Sequence, residues 1–66
     1  MSIYDVLTRL IEAKYSILVI SEATKVPYMR VYRAAKHRAR LTQEEEGKIK
    51  SFAFVQPVFT RGDSND

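Results

Sequence analysis

Apolar side chains recur along this chain with a helical period. Ile3, Val6, Leu7, Leu10 and Ile11 follow the i, i+3, i+4, i+7, i+8 spacing that lines one face of an α-helix. Ser2 stands where the cap of that helix belongs, and Asp5 serves as a shorter stand-in for the capping-box glutamate. The spacing predicts a first helix over about residues 3–14, with Asp5, Arg9, Glu12 and Lys14 on its polar face. Ser16 is the expected cap of a second helix. Its opening run, Ile17, Leu18, Val19 and Ile20, also suits a short buried strand, because three of the four are β-branched. The helix is preferred because Glu22, Ala23 and Thr24 continue it with no intervening turn signal.

A turn is expected at Lys25-Val26-Pro27, then a third helix from Tyr28 to His37. Val31 and Ala34 lie three apart and face one side, joined by Ala35. Tyr28, Met29, Tyr32, Arg33 and Lys36 are left for the outward side. Met29 can instead fill a core gap, and the two tyrosines can be half-buried amphipathic residues. Leu41 is expected to tuck into the core. Thr42 and Glu45 form a T-x-x-E capping box for a fourth helix, and Glu44, Glu45 and Glu46 suit its positive end. Ile49, Phe52 and Ala53 supply its inward stripe, while Gly47 weakens it.

Pro57 argues against further helix, so Phe54, Val55, Val58 and Phe59 are expected in an extended arm. That arm either folds back on its own domain or packs on a second subunit; a dimer contact is preferred. Thr60 to Asp66 is polar and expected to be disordered, and its Arg61-Gly62-Asp63 tripeptide is taken as coincidence. The expected architecture is all-α: a small four-helix domain over residues 1–53, with a C-terminal arm and tail over 54–66.

Composition narrows the chemistry. The chain has 66 residues, no cysteine and one histidine. Disulfides and thiolate metal sites are excluded, and one imidazole cannot hold a metal alone. Without a thiol, a phosphate-loop glycine pattern or paired carboxylates on separate elements, catalysis is not expected, and neither is a cofactor or small-molecule ligand. The longest apolar run is four residues, far short of a membrane span. The opening residues lack a basic segment followed by an apolar one, so a cytoplasmic location is expected.

The formal net charge is only +3, but Lys25 to Arg40 holds six of the eleven Lys and Arg, His37, and none of the eight acids. Charge concentrated on one segment is the footprint of a nucleic-acid binder.

The stretch from Ser16 to Lys36 resembles the helix-turn-helix of phage Cro and CI repressors and of lac-type repressors. Ile20 and Ser21 occupy the aliphatic and small positions of the first helix, Val26 the apolar turn position, and Val31 and Ala34 the inward positions of the second helix. Lys25 stands where such units usually carry glycine, so it must accept a left-handed or strained conformation without glycine's freedom. Pro27 replaces the usual Ser or Thr cap and pre-sets φ instead. The sequence Arg40-Leu41-Thr42, with acids and an Ile-bearing helix after it, also resembles the segment beyond the recognition helix in many such domains.

The resemblance implies a sequence-specific double-stranded DNA-binding regulator, a phage or mobile-element repressor that blocks a promoter as a homodimer. It puts base contacts on Tyr28, Met29 and Arg33; Tyr32 and Lys36 share that outward side. Arg33 is the leading candidate, because guanidinium reads guanine through two hydrogen bonds. Lys25, Arg30, His37, Arg38 and Arg40 are candidate phosphate contacts. Phe54, Val55, Val58 and Phe59 are the candidate dimer contacts. Two other functions stay open. One is a protein-interaction module that inhibits a host enzyme through Glu44–Glu46 and the apolar tail. The other is an excisionase-like or RNA-binding use of the same basic segment.

Overall fold

The structure is a computed structural model that describes residues 2–60. The described residues are helical, with no strand: α1 Ile3–Glu12, α2 Ile17–Thr24, α3 Tyr28–His37, α4 Gln43–Ala53 and α5 Pro57–Thr60. Both α1 and α2 pack against α3 and α4. The core draws Ile3, Val6, Leu7 and Leu10 from α1, Ile20 from α2 and Val31 and Ala34 from α3. Ile49 and Ala53 come from α4, and Val26 and Leu41 enter it from the loops. Each large aliphatic buried there contributes roughly 1.5–3 kcal/mol. Truncating Leu7, which has no solvent exposure, would cost about 2–5 kcal/mol, a large share of a small domain's stability.

Local chemistry sets the helix ends. Ser2 and Asp5 form a reciprocal capping box on α1: the Asp5 N–H donates to Ser2 Oγ at 3.3 Å and the Ser2 N–H to the Asp5 carboxylate at 3.4 Å. The helix stops two residues short of Lys14, which turns left-handed at φ 77°. Lys14 N–H then donates to Ile11 O and Tyr15 N–H to Leu10 O, both at 3.0 Å. That pair of bonds satisfies the last carbonyls of α1 and ends it in a Schellman motif. Ser16 Oγ accepts the Val19 N–H at 3.1 Å, which starts α2.

The aliphatic run 17–20 is therefore helix, and its four members divide accordingly. Ile20 is buried and Ile17 half-buried, while Leu18 and Val19 face water. Thr42 and Glu45 form the expected capping box at the start of α4.

Phe54 and Val55 form a turn, and Pro57 opens the single helical turn α5. Proline cannot continue α4, but at a first helical position its missing N–H is no loss and its φ is already helical. Val58 and Phe59 pack half-buried against the core of their own domain. Phe59 lies edge-on to Phe54 at 5.4 Å between ring centroids, with the Arg9 guanidinium over it at 5.8 Å. Tyr15 holds the same end: its ring meets Phe52 edge-on at 6.0 Å and its hydroxyl donates to Gln56 Oε1 at 3.1 Å. Of the polar tail expected to be disordered, residues 60–66, Thr60 closes α5, and residues 61–66 lie outside the described residues.

Candidate nucleic-acid interface

The α2–α3 turn is held by two buried hydroxyls. Ser21 Oγ donates to Val26 O at 2.7 Å, and Thr24 Oγ1 donates to Ile20 O at 2.6 Å while accepting the Val26 N–H at 3.3 Å. Both residues are small enough for the helices to approach, and both polar groups are paired, so their burial carries no unsatisfied cost. Directly after Thr24, Lys25 leaves α2 left-handed, at φ 65° and ψ 19°, its N–H donating to Ser21 O at 2.9 Å. Lysine thus takes the conformation that glycine adopts without steric cost. Val26 drops into the core and leaves Lys25 exposed. Pro27, at φ −54° and ψ 141°, makes no side-chain cap, but its carbonyl accepts the N–H groups of Arg30 and Val31.

This turn fixes which side of α3 meets water. Val31 and Ala34 are buried and Ala35 is half-buried. Met29, Arg33 and Lys36, at i, i+4 and i+7, form the opposite stripe and all are exposed. Met29 does not fill the core; it is 51 % exposed. Tyr28 and half-buried Tyr32 stack along one flank, 6.3 Å between centroids and 12° from parallel. His37 meets Tyr32 edge-on at 6.0 Å. All five candidate base-contact residues therefore lie on one helix: Met29, Arg33 and Lys36 opposite its packed face, Tyr28 exposed and Tyr32 half-buried on its flank.

The candidate phosphate residues divide. His37, the last residue of α3, and Lys25 and Arg40 beyond its two ends are exposed. Arg30 is exposed but engaged: its Nε and Nη2 donate to the two Glu45 carboxylate oxygens at 3.1 and 2.7 Å. Glu45 also accepts the Thr42 N–H at 3.0 Å, so one carboxylate caps α4 and anchors α3. The hydrogen bonds from Arg30 and then from Thr42 hold the Glu45 pKa down at about 2. The same pairing raises that of Arg30. The charge of Arg30 is thus answered within the protein.

Arg38 is also placed. It ends α3 left-handed at φ 55°, and its guanidinium lies 4.9 Å from the centroid of Tyr4. The Tyr4 hydroxyl donates to Ala39 O at 3.2 Å, so α1 fixes the start of the basic loop. Sequence periodicity carries no sign of the Arg30–Glu45 and Tyr4–Arg38 pairs. The only available signals are an acid already committed to a capping box and a tyrosine at the edge of an otherwise aliphatic stripe.

Among the candidate dimer residues, Phe54 and Val55 are exposed, Val55 by 71 %, whereas Val58 and Phe59 pack on their own domain. Leu18 and Val19 add exposed apolar surface on α2. Between α2 and α4 runs an open groove lined by Ala23, Thr24, Gly47, Ser51 and Phe52, with the Glu44–Lys48 ion pair, 3.5 Å, at its rim. Among the described residues no three His, Asp or Glu gather as metal ligands, and no helix is long and apolar enough to cross a membrane. Comparison with protein-family models, with curated proteins and with solved structures returned no match to this chain.

Proposed function

We propose that this chain is a sequence-specific double-stranded DNA-binding regulator built on a Cro/CI-type helix-turn-helix, with α3 as the recognition helix. The observation that supports this reading most is the division of α3. Val31 and Ala34 are packed away, while Met29, Arg33 and Lys36 form an exposed stripe flanked by Tyr28 and Tyr32. No acid falls between Lys25 and Arg40 to repel a phosphate backbone. An α-helix fits the major groove, where the exposed stripe would meet base edges. Lys25, Arg38 and Arg40 lie at the two ends of α3, where phosphate contacts position a helix without reading sequence.

The mechanism proposed is occlusion of a promoter by two copies, their α3 helices in successive major grooves about 34 Å apart. Phe54 and Val55 offer the free apolar surface for pairing two copies.

Selection from random-sequence duplexes at physiological salt tests this. Enrichment of an inverted repeat with half-sites about one helical turn apart is the expected result. Arg33→Ala should then lose about 1–3 kcal/mol of discrimination at one base position. Arg40→Ala should weaken binding to all sequences alike and lower the salt slope by about one. Binding that disappears with salt and enriches no sequence would refute specific recognition.

A further inference from the structure

The exposed stripe of α3 is chemically divided along its length. Its first member, Met29, is a 51 % exposed thioether beside the 44 % exposed ring of Tyr28. Its later members, Arg33 and Lys36, are cationic donors. Met29 takes no part in the core, which Val31 and Ala34 serve from the other side of the helix. An apolar side chain held in water on the same stripe as two cations calls for an apolar group within an anionic partner. In the DNA major groove the apolar group offered by a base pair is the thymine C5-methyl, and the acceptors that suit arginine are guanine O6 and N7.

Resting on the DNA-binding reading above, we infer that Met29, with Tyr28 beside it, is a thymine-methyl contact that sets specificity at one end of each half-site. Helix geometry gives the register. Four residues from Met29 to Arg33 rise about 6 Å, and successive base pairs are about 3.4 Å apart. With the helix axis following the groove, Met29 and Arg33 reach base pairs about two steps apart. The half-site then carries a thymine about two steps from a guanine.

The test uses the full chain and the duplex enriched by random-sequence selection. Each thymine of the half-site is replaced in turn by deoxyuridine, which removes the methyl and leaves every hydrogen-bonding group. At one position the affinity should fall about four-fold, the worth of one buried methyl. Met29→Ala, a change at an exposed site, should abolish that difference, and Arg33→Ala should preserve it. If deoxyuridine is tolerated at every thymine of a selected site, the methyl contact is wrong while specific DNA binding stands. If the loss persists in Met29→Ala, the assignment to Met29 is wrong. If no site is enriched, both the DNA reading and this inference fall together.

Discussion

Lys25 offers a perturbation in which stability and binding should separate. Its φ of 65° places a non-glycine side chain in the left-handed region, at a cost of roughly 1–2 kcal/mol from the clash of Cβ with the carbonyl oxygen. Lys25→Gly removes that cost but frees the unfolded chain, which takes back about 0.4–1 kcal/mol. The net gain should be about 0.5–1 kcal/mol, or a rise of roughly 3–6 °C in melting temperature for a domain of this size. Lys25→Ala keeps the Cβ and loses the same charge, so it should melt well below Lys25→Gly and near the parent. Circular dichroism at the helical band, with a matched urea titration, measures both. DNA affinity should behave otherwise. Each variant loses one cation, and the salt slope should fall by about 0.9 in both alike. Equal melting temperatures for the glycine and alanine variants would refute the claim that the backbone at 25 is strained.

Helix α4 and the α3 anchor carry three further expected outcomes. Gly47 sits in α4 with open space around the position of an added Cβ, so Gly47→Ala should stabilise by about 0.5–1 kcal/mol in a urea titration. Thr42→Ala removes the acceptor for the Glu45 N–H and should destabilise by about 0.5–2 kcal/mol, read the same way. The Glu45 pKa is depressed in the folded state to about 2, so its contribution is complete above the unfolded carboxylate range near 4.5. It is lost as pH falls from there towards 2. Urea midpoints between those limits should therefore drop more steeply for the parent than for Glu45→Gln; parallel profiles would show that the Arg30–Glu45 pair adds nothing.

The local features of this fold are legible from the sequence because each is decided within a few residues. Ser2, Ser16 and Thr42 are caps as their positions imply, and Tyr28 to His37 is the third helix. Lys25 is left-handed at the place where its turn demands it. The ambiguous run 17–20 is helix because Ser16 supplies the missing N-terminal bond. The features that sequence does not carry depend on distance. Arg30 meets Glu45 fifteen residues away, and Tyr4 meets Ala39 thirty-five residues away. Such pairs are set by how helices pack, and no periodicity encodes them.

They alter the candidate site, since the charge of Arg30 is taken up by Glu45 and the Arg38 guanidinium lies over Tyr4. Pro57 is a local signal with two meanings. Pro57 does break a helix that reaches it, yet the same fixed φ also suits a helix start.

The four tyrosines divide by position, and the chain has no tryptophan to mask their emission. Tyr4 and Tyr15 bind opposite ends of the domain through their hydroxyls, to Ala39 O and to Gln56 Oε1. Tyr28 and Tyr32 lie stacked along one flank of α3. The molecule therefore carries two sets of native fluorophores, one coupled to the integrity of the fold and one to whatever covers α3. Phenylalanine at 4 and 15 would leave a protein whose ultraviolet emission reports occupancy of that face, and phenylalanine at 28 and 32 one whose emission reports unfolding, with no dye attached to either.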